Sequence, residues 1–209
     1  MARKVILYLA QSLDGFIAEP DGSTAWLGAL GSSAADDAYQ RFYAGIDCVL
    51  MGRKTYQRAL RLAGSYPYSD KESYVFSTNL HDTDDPTTVV AGNVPAFVRK
   101  LKEHKGKDIW LVGGADIFTE LLEANLVDEL IITVAPVLLG DGISLVASGI
   151  QNVNLHLSKV EKLDQLTALH YDVCGSNKRP NSFHTSRIQA QKRRWLITNA
   201  ILMPRLLNA

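Results

Sequence analysis

Three short segments of this chain carry residue types suited to binding phosphate. Met51-Gly52-Arg53-Lys54-Thr55 places a glycine, two cations and a hydroxyl where an apolar run gives way to a helical pattern. Phe76-Ser77-Thr78 ends a second apolar run with two hydroxyls, and Val112-Gly113-Gly114-Ala115 ends a third with two glycines. A helix N-terminus offers free N–H groups and a positive dipole end. Glycine lets the backbone approach a ligand closely. Cations and hydroxyls add charge-assisted hydrogen bonds to phosphate oxygens. Each segment also has a plain reading, as a turn glycine, a pair of solvated charges or the start of a turn. Three ends of one sheet in succession favour the ligand reading, a site for a molecule with several phosphates. Neither G-x-G-x-x-G nor G-x-x-x-x-G-K-[ST] occurs, which disfavours a Rossmann dehydrogenase and a P-loop NTPase.

Positioning those segments requires strands that end side by side. Residues 5–10 and 46–51 are continuous apolar runs, as strands buried on both faces would be. Shorter strands are expected at 74–76, 87–91, 108–112 and 130–134. The pattern predicts a helix from Gly52 to about Arg61, one capped by Asn93 with Pro95 in its first turn, and one with Ile117, Phe118, Leu121 and Leu122 on its apolar face. Ser33 is the expected cap of a further short helix, with Asp36 and Asp37 in its first turn. The stretch 11–32, with Asp14-Gly15 and Asp21-Gly22, reads as a long loop. Residues 155–163 and 166–173 alternate around Asp164-Gln165 and read as a closing antiparallel hairpin. Strands alternating with helices predict an α/β fold, a mostly parallel central sheet covered on both faces. In such sheets ligands bind at the carboxyl ends of the strands.

The 209 residues, 46% of them hydrophobic, suit one domain with an appendage and argue against full-length disorder. Lys+Arg and Asp+Glu both number 22, so the whole molecule is not a basic nucleic-acid binder. Seven of the cations lie past Val173 with no Asp or Glu beside them, leaving 15 against 22 acids in residues 1–173. The chain thus reads as an acidic body, 1–173, and a basic tail, 174–209. No apolar run approaches the roughly 20 residues of a membrane span, and Val5 to Ala10 is too short for a signal-peptide core. Cys48 and Cys174 cannot make a disulfide framework or a zinc site, Cys48 reads as buried and inert, and the five histidines lack metal-ligand spacing. A reducing, cytoplasmic setting with no bound metal is expected.

The order Ala10…Asp14-Gly15…Ile17, then "VLMGRKTY", Phe76-Ser77-Thr78, "WLVGGADI" and "LVDELIITVAPVLLGDGISL" resembles the dihydrofolate-reductase-like family over about residues 3 to 173. Within that family it resembles most the reductase domain of the bifunctional riboflavin-biosynthesis deaminase-reductase. The resemblance implies a three-layer α/β/α fold and NADPH as hydride donor. It places Gly52, Arg53, Lys54 and Thr55 at the cofactor phosphates and Ser77 and Thr78 beside the adenosine 2′-phosphate. Gly113-Gly114, often a cis peptide in this fold, would admit the pyrophosphate, with Ala115, Asp116 and Ile117 opening the helix beneath. Ala10 and Ile17 would flank the nicotinamide, with residues 11–22 as a mobile lid. Dihydrofolate reductases carry a buried carboxylate on the first helix, and Asp37 is the candidate here. In an apolar pocket its pKa would rise and it could donate a proton. The other reading is that Asp36 and Asp37 simply favour the helix N-terminus. Trp26 either lines the substrate pocket or belongs to the core. It lacks the neighbouring proline of dihydrofolate reductase, and the Gly142-Ile143 loop after Pro136 fits the riboflavin-type branch better than folate. The implied activity is NADPH-dependent reduction of a small heterocycle, of the 5-amino-6-(5-phosphoribosylamino)uracil reductase type, by a homodimer.

Two rival readings stand beside it. One is a nucleotide-binding protein of the same fold without turnover. The other is a nucleic-acid-associated protein acting through Lys192-Arg193-Arg194-Trp195 of the tail. The tail reads otherwise as an extension, or as a segment whose apolar residues pack on the body or on a neighbouring subunit.

Overall fold

The long apolar runs form the centre of one eight-stranded sheet. A computed structural model describes residues 3–146 and 152–175. They lie in the first of two units into which the chain divides, Met1–Gly175, the other being Ser176–Ala209. The readings made for the tail fall outside the described residues from Ser176 onward.

In chain order the elements are β1 (Val5–Ser12), β2 (Phe16–Ala18), α1 (Ala25–Gly28), α2 (Ser33–Ala44), β3 (Ile46–Gly52), α3 (Arg53–Ala63), β4 (Glu72–Phe76) and β5 (Thr87–Val90). Then follow α4 (Val94–Glu103), β6 (Asp108–Gly113), α5 (Ala115–Glu123), β7 (Glu129–Ala135), β8 (Ile143–Ser144), β9 (Asn154–Leu163) and β10 (Leu166–Cys174). The sheet runs β5-β4-β3-β6-β1-β7-β10-β9. Every pairing up to β7 is parallel, and β10 and β9 close the sheet as an antiparallel hairpin.

Period-two alternation splits the strand side chains between two faces. Val5, Leu7, Cys48, Leu50, Ile109 and Leu111 pack with Val98 of α4 and Phe118 and Leu121 of α5. Tyr8, Val49, Met51 and Trp110 pack on the other face with Tyr39 and Phe42 of α2 and Tyr56 of α3. Helices therefore cover both faces, the three layers that the resemblance implies. Trp110 meets Tyr8 and Phe42 edge-on, and its indole N–H donates to the Tyr8 carbonyl at 3.1 Å. An aromatic buried this way satisfies its one polar atom without leaving the core. Among the described residues no helix is long and apolar enough to cross a membrane.

The structure corrects several expectations. The stretch 11–32 is not loop throughout: β1 extends to Ser12, β2 pairs antiparallel with β8, and α1 forms one turn. The cap of α2 is Ser32, not Ser33, because the Ser32 hydroxyl accepts from Ala35 N–H at 3.0 Å while donating to Asp164 at 2.8 Å. That second bond ties the helix start to the hairpin turn, a contact no local pattern shows. Of the two acids expected in the first turn of α2, only Asp36 lies there. Cys174 pairs with Asn154, so the sheet runs one residue into the expected tail.

Candidate functional site

Parallel register brings the phosphate-binding segments together. Gly52 stands opposite Phe76, and Met51 opposite Gly113. The carboxyl ends of β4, β3 and β6 therefore lie in one row, with β1 next in the sheet. At that row opens a cavity of about 940 Å³. It is lined by all thirteen residues assigned to the cofactor: Ala10 and Ile17, then Gly52 to Thr55, Ser77 and Thr78, and Gly113 to Ile117.

The helix starts are bare. α3 begins after Gly52 and α5 after Gly114, and neither N-terminus has a side-chain cap. The first-turn N–H groups of both helices thus lack the side-chain acceptors that usually satisfy them. Gly114 has a φ of +96°, a left-handed conformation that glycine adopts freely. A Cβ built there would lie 3.7 Å from the Gly52 backbone and from the Thr55 hydroxyl, so the two junctions abut. The Gly113–Gly114 bond is trans, a correction to the cis bond expected, and the positive φ of both residues makes the turn instead.

Cations face this point without acidic partners. Arg53 only reaches Gln57 Oε1, at a long 3.4 Å, and neither Arg53 nor Lys54 is in an ion pair among the described residues. α3 has no acid in its first turn. The helix is held from its opposite face: Tyr56 is buried and its hydroxyl donates to Asp85 at 2.6 Å; burial, with that bond second, pushes its pKa up to about 12. Beyond β4, the Ser77 hydroxyl accepts from the N–H groups of Asn79 and Leu80 at 3.1 and 2.9 Å, fixing the turn that presents Thr78.

Over the cavity lie Ile17 and Ala18 of β2 and Ile143 of β8. Asp14 moors this roof: its carboxylate accepts from Ser12 Oγ at 2.5 Å, Gly140 N–H at 2.8 Å and Leu139 N–H at 3.1 Å. Those bonds, led by the Ser12 hydroxyl, hold its pKa down to about 2. At Gly142 a Cβ would come within 2.3 Å of the Ala18 carbonyl, so β2 and β8 meet only because that side chain is absent.

The structure does not bring the other two candidates to the cavity. Asp37 is exposed on α2 and outside the lining. Trp26 packs against Leu163, Leu166 and Ala168 of the hairpin, with its indole N–H shielded and unpartnered. Cys48 is fully buried, and burial pushes its thiol up to about 12. Sequence reasoning missed Arg58 and Arg61, which line the cavity below Lys54. Their signal was present: residues 54, 58 and 61 share one helical face.

Two bare helix starts, a glycine junction and unpaired cations fit a ligand with several phosphates, and a pocket of this size suits a large cofactor. The profile of the RibD C-terminal domain matches residues 3–169. The uncharacterized protein YwjB of Bacillus subtilis is 40% identical over 173 residues, 82% of this chain and 98% of YwjB. The crystal structure of a putative riboflavin biosynthesis protein from Shewanella aligns with a TM-score of 0.72 at 29% identity, covering 83% of this chain and 99% of that one. Dihydrofolate reductase from Enterococcus faecalis, complexed with NADP(H), aligns at a TM-score of 0.60 and 15% identity over 83% of this chain and 99% of that one, a likeness of fold alone. The chain belongs to the RibD C-terminal domain family and has the dihydrofolate-reductase-like fold.

Proposed function

We propose that the chain is an NADPH-dependent reductase of a small heterocyclic substrate, of the ribosylaminopyrimidine type that the riboflavin-pathway family suggests. The observation that carries this reading is the meeting of two uncapped helix starts at Gly52 and Gly114, with unpaired Arg53 and Lys54 beside them in one large cavity. Arg53, Lys54, Thr55 and the first-turn N–H groups would hold the phosphates, and Ser77 and Thr78 the adenosine end. Ala10, Ile17 and the β2–β8 roof would orient the nicotinamide. When bound, the cofactor supplies a hydride. The chain supplies position and electrostatics.

Among the described residues that line the cavity, no carboxylate is buried to supply the proton. The acids in the described lining are Asp21 and Asp116, and both are exposed, as is Asp37 outside it. We assign protonation to water reaching the substrate rather than to Asp37.

Calorimetric titration with NADPH and NADH, followed by NADPH oxidation with a panel of pteridines, ribosylaminopyrimidines and quinones, tests the reading. Saturable NADPH binding with turnover of a panel member is expected. Flat traces with both nucleotides would refute it, and binding without turnover of any compound would favour a nucleotide-binding role alone.

A further inference from the structure

Arg58 occupies a place that the cofactor assignment leaves unexplained. On α3, Lys54, Arg58 and Arg61 follow one another down the face that lines the cavity, while Tyr56 anchors the opposite face. The helical rise puts Arg58 about 6 Å and Arg61 about 10 Å below Lys54 along the axis. Both cations lie beyond the helix start, where the dipole no longer contributes.

Arg58 is half-buried and its Nε is shielded from solvent with no hydrogen-bond partner. Among the described residues its guanidinium makes one hydrogen bond, Nη2 to the Thr24 hydroxyl at a marginal 3.5 Å. It forms no ion pair among the described residues. The carboxylate of Asp21, which shares the lining, accepts instead from Ser23 N–H at 2.7 Å. Burying a guanidinium donor without an acceptor is unfavourable. Its planar fork matches the two oxygens of a carboxylate or phosphate. Leu9, Ala18 and Leu27 also line the cavity, and apolar walls lower the local dielectric and strengthen such a pair.

We propose that Arg58 is a specificity-determining residue: it receives an oxyanion, carboxylate or phosphate, carried by the molecule that shares the cavity with the cofactor. The inference rests on the reductase reading, since it presumes that the phosphates of the cofactor occupy the helix starts. Arg61, exposed one turn further on, draws the same anion toward the cavity mouth.

Inorganic phosphate and benzoate, titrated by calorimetry or NMR with and without saturating NADPH, distinguish the two oxyanions. The wild type is expected to bind at least one of them in the presence of NADPH. Arg58→Gln should weaken that binding about ten- to a hundredfold, the loss of a charge-assisted pair, and leave NADPH affinity within twofold. Arg58→Lys, which keeps the charge without the fork, should fall between. In the wild type, the Arg58 Nε–H resonance should shift on anion addition, a readout that survives even if a variant fails to fold. Absence of anion binding, unchanged affinity in Arg58→Gln, an unmoved Nε–H signal, or a parallel loss of NADPH affinity would each overturn the assignment. Should NADPH fail to bind the wild type, the reductase reading falls by itself, and the Arg58 Nε–H shift together with the Arg58→Gln comparison, both without nucleotide, still decide whether Arg58 takes an anion.

Discussion

Replacing Arg53 by Ala separates binding from stability, because Arg53 is poorly placed for the fold alone. It is the first residue of α3, Lys54 is the second, and no acid shares their turn. Cations at a helix N-terminus oppose the dipole by about 0.3–1 kcal/mol each. Among the described residues its side chain makes only the 3.4 Å contact to Gln57, too long to offset this. Arg53→Ala should therefore leave the ligand-free protein as stable as before or slightly more so. For a unit of this size, 1 kcal/mol corresponds to about 2–4 °C in melting temperature. If Arg53 meets a phosphate, losing a charged hydrogen bond costs about 1.5–3 kcal/mol, or roughly a ten- to 150-fold rise in Kd for NADPH. Calorimetry at two salt concentrations provides the assay, and the affinity of the variant should fall less steeply with salt than that of the wild type. A Kd within twofold of the wild type would remove Arg53 from the site. A lower ligand-free melting temperature would show that it serves the fold, contrary to the dipole argument.

Three further outcomes are expected. Gly142→Ala should cost about 1–3 kcal/mol, since its Cβ would overlap the Ala18 carbonyl and the backbone must shift; denaturant unfolding measures this, and NADPH affinity should fall with it as the roof opens. The Asp14 mooring should be fully formed above the ordinary carboxylate value of 3.8 and released as pH falls through about 2, because its folded pKa lies below its unfolded one; the Leu139 and Gly140 amide resonances should titrate there, and should not in Asp14→Asn. β9, paired on one side with β10, is the edge strand of the described sheet, with Leu155, Leu157 and Val160 at 42%, 47% and 55% exposure; if the chain forms a homodimer through this edge, Leu157→Lys should shift the mass seen by light scattering from dimer to monomer, and an unchanged mass would exclude this edge.

The central strands could be read directly because β1, β3, β6 and β7 are buried on both faces, and continuous apolar runs have little else to be. The glycine junctions could be read because backbone approach and positive φ restrict residue type. β2 and β8 could not, since strands of three and two residues have no periodicity. Their pairing of Phe16 with Ser144 and of Ala18 with Ile143 joins segments far apart in sequence. The cap of α2 was displaced by one residue because Ser32 is chosen by a distant partner, Asp164. Asp37 shows the limit of carrying a role over by spacing: one position on a helix turns a side chain by about 100°, and here it faces solvent. Arg58 lies one helical turn beyond the segment Gly52–Thr55, and its spacing from Lys54 shows which face it shares but not that this face lines a cavity.

The abutting starts of α3 and α5 have a practical consequence for handling the protein. Two abutting helix starts and two cations in no ion pair among the described residues, outnumbering the one acid of the α5 first turn, Asp116, form an electrostatic focus that attracts small multivalent anions. Sulfate or phosphate buffers should thus raise the melting temperature more than chloride at equal ionic strength, and would compete with nucleotide in ligand screens. Work in weakly coordinating buffers would expose the full response to the true ligand.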